Sequence, residues 1–193
     1  MAIIHLKGPD QGRQIAFDNA AETLRETPAF LKNAPVREIA LADPHPTYVI
    51  GLNDLASGRL LSAAKFISWR YILLHRSNAI GEVELNADEK IGKLLDFVAL
   101  HQTPFAQAAL DALRVAERLP QVTKQDYEIR YLKILAVYFV AVWLHAQSDD
   151  ILIPLAPCPK SLNANHPYSE SQVMELLKAP IQLAKQFDES SRK

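Results

Sequence analysis

The amino-acid sequence predicts an α+β domain with a mainly antiparallel sheet built from hairpins, packed by a helix pair and a C-terminal helix. Two segments predict the sheet. Residues 66–85 alternate apolar and polar side chains around a turn, and residues 127–155 form a β-rich apolar run with one polar turn. Helical spacing occurs between these segments and again near the end of the chain. Because strands come in hairpins and helices in pairs, a doubly wound sheet is not expected.

The early part of the chain carries weaker signals. Asp18 is a candidate N-cap for a short helix through Arg25, which Pro28 ends. Segments 36–41 and 48–52 are predicted as short strands around the turn sequence DPHP.

The first hairpin is predicted from alternation within 65–75. Ser68 and Arg70 fall on one face, and the opposite face carries larger side chains: Ile67, Trp69, Tyr71, Leu73 and His75. This pattern indicates a half-buried strand. Residues 76–78 then favour a turn, and residues 79–85 continue as the second strand.

A helix pair is predicted between the two hairpins. Asp88 resembles an N-cap, and apolar residues at helical spacing follow it to about His101. Thr103 and Pro104 then form a second start signal, for an Ala-rich helix that runs to Leu119. Small side chains on one face of this helix would allow close packing against the sheet or the first helix.

The segment from Tyr127 to Leu155 is predicted as a central hairpin with its turn at 147–150. Residues 137–144 are apolar on both faces, so periodicity alone leaves a strand and a buried helix open. The abundance of Val, Tyr, Phe and Trp favours the strand. A strand apolar on both faces would occupy a central position in the sheet.

The C-terminal helix is predicted from a capping box, with Ser169 as N-cap and Gln172 three residues later. Pro180 is expected to end or kink it, with a second short helix after the proline. No composition break suggests a linker. A single globular domain is therefore predicted over 1–187, followed by a flexible polar tail at 188–193.

Composition excludes several function classes. The chain has 193 residues and a formal net charge of -1, which provides no basic field for nucleic acid or anionic lipid. Its uncharged apolar stretches are too short to span a membrane, and no export signal is visible. The single cysteine, Cys158, cannot form an internal disulfide, which favours a soluble cytoplasmic protein. Six histidines occur without metal-ligand spacing, so neither a metal nor a cofactor is predicted.

The residues with most chemical potential lie near the strand ends. If the two long strands are neighbours, a candidate pocket combines Trp69, Tyr71, His75, Trp143 and His145. Asp149 and Asp150 could supply carboxylates beside His145 for acid–base chemistry. The alternative is that both histidines pack their rings before a turn and that the aspartates serve turn geometry.

Two functions therefore remain open from the sequence. The first is a non-catalytic binding or interaction domain, which could form a homo-oligomer. The second is a small enzyme or small-molecule binder that holds a small apolar ligand in the aromatic and histidine pocket.

Overall fold

The protein contains one large, mostly antiparallel sheet with helices on both faces. The computed structural model describes residues 3–27, 34–87, 94–102 and 104–191. Within these ranges there are ten strands: β1 (Ile3–Ile4), β2 (Ile39–Leu41), β3 (His45–Val49), β4 (Lys65–His75), β5 (Asn78–Ala87), β6 (Leu94–His101), β7 (Tyr127–Ile134), β8 (Phe139–His145), β9 (Asp150–Pro154) and β10 (Tyr168–Ser169). The helices in the same ranges are α1 (Gly12–Glu26), α2 (Leu52–Ala56), α3 (Pro104–Ala116) and α4 (Glu170–Ser191). The predicted α+β class and the C-terminal helix are confirmed.

The main path of the sheet runs β10-β9-β8-β7-β3-β4-β5-β6. Two antiparallel groups of strands, β7 to β10 and β3 to β6, meet where β3 pairs in parallel with β7. The short β1 adds to β7 in parallel, and β2 adds to β4 antiparallel. The parallel pair therefore joins the two groups into one sheet.

Both faces of the sheet are covered. Alternate residues of β4 divide between the layers, because Tyr71 packs in the cluster with α1 and Ile72 packs in the cluster with α3. On β7, Tyr131 packs in the α3 cluster and Leu132 packs in the cluster with α4. Helices α1 and α4 thus lie on one face, and α3 lies on the other.

The first predicted hairpin is confirmed as β4 and β5. Its turn places Arg76 and Ser77 at positive φ, 49° and 65°, as in the two-residue turns whose twist matches that of the flanking strands. The prediction that this strand is half-buried is wrong, because both faces of β4 are covered by other parts of the protein. The side chains of the polar face are themselves buried: Ser68, Arg70, Glu82 and Glu84.

The predicted helix from Asp88 to His101 is wrong over residues 94–101, which form β6. This strand pairs with β5, with His101 opposite Glu82 and Phe97 opposite Leu85. Two register shifts in the ladder accommodate a sequence whose apolar residues also fit helical spacing. Without β6, strand β5 would lie at the edge of the sheet with unpaired backbone N–H and C=O groups. Pairing of β6 with β5 satisfies these groups, and this tertiary contact outweighs the local helical pattern. Residues 88–93 and Thr103 lie outside the described residues, so α3 is the only described member of the predicted helix pair.

The segment from Tyr127 to Leu155 is a meander of three strands. The strand predicted over 137–144 is confirmed by β8 from Phe139 onward, and β9 follows the predicted polar turn. A second turn, not predicted, separates β7 from β8 through a 3-10 helix at Leu135–Val137 and Tyr138 at φ 52°. Tyr138 is 85% exposed, so the turn projects into solvent and lacks the glycine that would normally signal it.

Near the amino terminus the element boundaries differ from the predictions. Helix α1 begins at Gly12, so Asp18 lies inside the helix and does not cap it. Strand β3 begins at His45, within the predicted turn, and Gly51 precedes α2. Residues 36–38 form a 3-10 helix before the short β2.

The capping box of α4 is confirmed. The Ser169 backbone N–H donates to Gln172 Oε1 at 2.8 Å, and the Gln172 N–H donates to Ser169 Oγ at 3.3 Å. Pro180 does not end the helix, because Leu177 and Ile181 on either side of it are both buried in the α4 cluster. That packing offsets the lost backbone hydrogen bond. The helix continues into the predicted tail, whose flexibility stays a prediction, as does the single-domain division.

Among the described residues, no helix combines the length and apolar character needed to cross a membrane.

Replacing Ser169 with alanine tests the cap. Ser169→Ala should lower the free energy of unfolding by about 1 kcal/mol, because the N–H of Gln172 loses its acceptor. Urea denaturation measures the change. Ser190→Ala, near the other end of the same helix, is the matched control and should stay within about 0.5 kcal/mol of the wild type. Equal effects of the two substitutions would contradict a stabilising cap.

Candidate functional site

The sheet splits where β3 begins. From His45 onward, β3 lies between β4 and β7. Beyond that end of β3, β4 pairs with β2 instead, and β7 pairs with β1. Within the described residues β1 and β2 are not paired with each other, so the two groups of strands separate at this end. Residues 42–44 and the segment after β1 lie at this opening, and both line cavities there.

One cavity lies on the α3 side of the split, and we call it the split-sheet cavity. Its volume is about 200 Å³. Apolar side chains from β1, α3 and β7 form much of its wall: Ile3, Leu110, Leu113 and Ile129, with Ala42 beside them. The polar lining residues are His5, Asp43, His45, Arg114 and Glu117. This combination of apolar walls and a few polar groups is typical of small-molecule sites.

His45 is the buried polar residue of this cavity. It is 3% exposed, and its Nε2 atom has no hydrogen-bond partner. Burial, reinforced by the nearby positive charge of Arg70 and by His5, lowers the pKa of His45 to about 3. The imidazole is therefore uncharged near neutral pH, with one nitrogen as donor and the other as acceptor.

A buried polar network extends from His45 along the same face. Arg70, directly opposite His45 in the ladder, donates from Nε to Glu82 at 2.6 Å and lies over the Tyr131 ring at 3.7 Å. Two further buried atoms lack partners, Thr47 Oγ1 and Arg70 Nη2. With His45 Nε2, they form a group of three unsatisfied polar atoms on adjacent positions of β3 and β4.

The far end of the network is well satisfied. Glu84 accepts hydrogen bonds from Ser68 and, at 2.8 Å, from Lys133. Although burial disfavours its charge, Lys133 and Ser68 hold the pKa of Glu84 below its ordinary value. Arg70 and Lys133 therefore balance Glu82 and Glu84, and the three unsatisfied atoms belong to His45, Thr47 and Arg70.

A second cavity lies at the start of α1, on the opposite face, and we call it the α1 cavity. Its volume is about 310 Å³. Its lining comes from the amino-terminal segment, α1, the β2–β3 connection and β4: His5, Leu6, Lys7, Gly8, Pro9, Arg13, Asp43, Pro44 and Tyr71. His5 and Asp43 line both cavities, and their Nδ1 and Oδ2 atoms are 3.7 Å apart.

Glycine is required at position 8 by the close approach of other side chains. A Cβ atom there would lie 2.8 Å from the Tyr71 hydroxyl oxygen and 2.9 Å from Pro44 Cγ. The absence of a side chain therefore allows the backbone at Gly8 to pack closely against Tyr71 and Pro44 in the wall of the α1 cavity.

The five residues predicted as a pocket occupy one face but do not converge on a described cavity. Trp69, Trp143 and His145 belong to a row of ring contacts that also includes Phe66 and Tyr48. The ring centroids are 6.1 Å apart for Trp69 and Phe66, 5.9 Å for Phe66 and Tyr48, 5.4 Å for Tyr48 and Trp143, and 5.4 Å for Trp143 and His145. Strands β3 and β7 lie between β4 and β8, which places the two long strands roughly 14 Å apart across the sheet.

Tyr71 and His75 line separate cavities. Tyr71 belongs to the α1 cavity, whereas His75 contacts Glu38 at 3.0 Å and lines a third cavity at the turn of the β4–β5 hairpin. Of the predicted set, the structure brings Trp143 and His145 into direct contact and keeps His75 apart from them. Sequence reasoning missed His45, since its position between two prolines is typical of a turn.

His145 and Asp150 form the pair that the sequence suggested. They are cross-strand neighbours, and His145 Nδ1 lies 2.8 Å from Asp150 Oδ1, which also accepts the indole N–H of Trp143 at 2.7 Å. Asp149 instead accepts the hydroxyl of Tyr127 at 3.0 Å. A carboxylate at Nδ1 fixes the orientation of the imidazole, a geometry suited to proton transfer. The described residues contain no group of three or more potential metal ligands.

The buried ion pair can be tested with a double-mutant cycle. Arg70→Met should lower the free energy of unfolding by about 3–5 kcal/mol, because Glu82 is left buried without its counter-charge. The double variant Arg70→Met, Glu82→Leu should be more stable than Arg70→Met alone. Urea denaturation gives all the values. Arg59→Met, which breaks the exposed pair with Asp54, is the control and should cost no more than about 1 kcal/mol.

The pH dependence of stability tests the uncharged state of His45. Below pH 6.5 the unfolded chain takes up a proton at this residue, but folded His45 does not until about pH 3. The contribution of neutral His45 to the free energy of unfolding is complete above pH 6.5 and is lost as the pH falls below that value. Between pH 7 and pH 5 the loss should be about 2 kcal/mol.

Urea denaturation at the two pH values checks this expectation. His45→Leu should abolish that part of the pH dependence, and it should not destabilise the protein at pH 5, because it removes an unsatisfied buried atom. The exposed His166→Leu is the control and should retain the loss. An unchanged pH dependence in His45→Leu would show that His45 is not the group responsible.

Comparison with known proteins adds no family assignment. No protein-family model matches the chain, and no significant match to a curated protein or to a solved structure was found. The functional interpretation therefore rests on the geometry of the site.

Proposed function

We propose that this is a non-catalytic binding protein that holds a small, mostly apolar ligand in the split-sheet cavity. The observation that carries the proposal is His45, a buried and uncharged imidazole with an unsatisfied Nε2 atom, in a cavity with apolar walls. Burying a polar atom without a partner costs roughly 1–3 kcal/mol. A ligand that supplied a hydrogen bond there would offset this cost.

The shape and polarity of the cavity support a ligand of limited size. Its volume of about 200 Å³ is below the roughly 300–1,000 Å³ of drug-sized ligand sites. Leu110 and Leu113 from α3 face Ile3 and Ile129 from the sheet side, so the ligand body would replace water between apolar surfaces. The ligand would therefore combine a compact apolar body with one hydroxyl or similar group for His45.

The electrostatics of His45 support binding over catalysis. A general base is most effective when its pKa lies near the working pH. Since the pKa of His45 is lowered to about 3, its imidazole is a weak base at neutral pH. Its chemical value is that of a fixed hydrogen-bonding group in an apolar wall.

The cellular location and the assembly are further proposals, which rest on the sequence. One cysteine and a near-zero net charge favour the cytoplasm and disfavour nucleic acid as the main partner. We also propose that the protein forms a homodimer, and light scattering coupled to size exclusion tests this, since a strict monomer at high concentration would contradict it.

Phenol is a suitable probe for the split-sheet cavity because it combines a small apolar ring with one hydroxyl group. We expect phenol to bind more tightly than benzene, because only phenol can form a hydrogen bond with His45. NMR titration of the assigned backbone amides should place the largest shifts on α3, β1 and the residues near His45.

Two variants locate this binding. Leu113→Trp fills the cavity and should abolish phenol binding, whereas Leu183→Trp on the exposed side of α4 is the matched control and should leave it unchanged. His45→Leu should remove the preference for phenol over benzene. If phenol binds Leu113→Trp as well as the wild type, or if neither probe binds, the proposal is wrong.

A further inference from the structure

The α1 cavity combines several groups that suit an anionic oxygen. Lys7 and Arg13 carry positive charge, and Asp43 is the only negatively charged residue of the lining. Helix α1 has 15 residues, no side-chain cap at Gln11, and no acidic residue in its first turn. The positive end of the helix dipole is therefore not neutralised by the helix itself.

Tyr71 provides the independent observation that points to a ligand. Its side chain is almost completely buried, at 1% exposure, and lines the α1 cavity. Within the described part of the chain its hydroxyl has no hydrogen-bond partner. Burial raises the pKa of Tyr71 to about 12, so the hydroxyl remains a neutral donor at physiological pH. Gly8 packs close to this hydroxyl, which fixes the amino-terminal segment beside it.

The polar groups already present do not satisfy this donor. The Arg13 guanidinium donates to the backbone oxygens of Leu41 and Ala42 and lies 3.8 Å from Asp43. Asp43 is shared between Arg13 and His5 and is 58% exposed. These contacts hold Arg13 at the rim in a fixed orientation and leave Lys7 and the Tyr71 hydroxyl for a ligand.

The two cavities meet at the split in the sheet. His45 is paired with Arg70 in the sheet and faces α3. Tyr71, which follows Arg70 in β4, faces α1. His5 and Asp43 line both cavities, so the two cavities share part of their wall at the split. A molecule of modest length could therefore occupy both.

We propose that the natural ligand is an amphipathic anion, with its apolar body in the split-sheet cavity and a carboxylate or phosphate group in the α1 cavity. This inference rests on the proposed function, since it assigns the apolar part to the same site. Tyr71 would donate to the anionic oxygen, Lys7 would supply charge, and His45 would bind a polar group on the apolar body.

Calorimetric titration of matched acids and amides tests the inference. The probes are para-hydroxyphenyl carboxylic acids with one, two or three carbons between the ring and the carboxylate, each compared with its primary amide. We expect at least one acid to bind about tenfold or more tightly than its own amide, because charged acceptors form the stronger hydrogen bonds. This preference should weaken as the salt concentration rises.

Single-group variants locate the anionic end. Tyr71→Phe and Lys7→Gln should each reduce the preference for the acid to within about threefold, because each substitution weakens binding of the charged acid more than binding of the neutral amide. The matched controls are Tyr138→Phe and Lys124→Gln, both at exposed positions away from the cavity, and they should keep the full preference. A preference that survives both Tyr71→Phe and Lys7→Gln overturns the inference.

The outcomes separate the two proposals. If phenol binds and Leu113→Trp abolishes its binding, but no acid exceeds its amide, the proposed function stands and the anionic ligand is excluded. If no probe responds to Leu113→Trp, the proposed function fails. Titration with inorganic phosphate alone then tests the α1 cavity. If phosphate binds, and if Tyr71→Phe and Lys7→Gln weaken that binding, the anion site in the α1 cavity stands without the apolar site.

Discussion

The buried guanidinium of Arg70 is the interaction on which the centre of this protein depends. It extends from β4 to Glu82 on β5 and lies over the ring of Tyr131 on β7. Between β4 and β7 there is only β3, a strand of five residues. The Arg70 side chain therefore contacts both groups of strands across their short junction. A charge at 1% exposure is tolerable only with such partners, so the register of these strands is tightly constrained.

The chemistry of the site follows from the same constraint. A guanidinium held beside His45 makes a second positive charge unfavourable, and burial acts in the same direction. The imidazole is thereby kept neutral and able to accept as well as donate. The split in the sheet depends on the same junction. Strand β3 is too short to pair with β4 and β7 along their full length. Beyond β3, β1 pairs only with β7 and β2 pairs only with β4. The cavities lie where the junction ends.

Local patterns in the sequence predicted those elements whose stabilising contacts are local. The β4–β5 hairpin was predicted because its strands are adjacent and its turn is two residues long, and the α4 cap because both partners lie within one helical turn. Strand β6 was missed because its spacing also fits a helix, and only pairing with β5 decides between the two structures. The additional turn at Tyr138 was missed because no glycine or asparagine occupies the position with positive φ.

The candidate site was beyond local patterns for a related reason. Thr47 pairs with Tyr131, 84 positions later in the chain, and this parallel contact creates the junction. Without it, Arg70 and Ser68 are indistinguishable from the polar face of a half-exposed strand. The predicted pocket assumed that β4 and β8 were neighbours, and the insertion of β3 and β7 separates them. Trp143 and His145 were still placed together correctly, since they belong to one strand and one face.

The distribution of satisfied and unsatisfied atoms distinguishes a structural role from a binding role. Were the network only a means of packing the sheet, unsatisfied atoms would be expected nowhere in it, because each one lowers stability and apolar replacements are readily tolerated. Glu84, Ser68 and Lys133 meet that expectation. His45, Thr47 and Arg70 do not, because each has one unsatisfied atom, and His45 lines a cavity with apolar walls. A polar group left unsatisfied in the apolar wall of a cavity is the arrangement expected when a ligand supplies the missing partner.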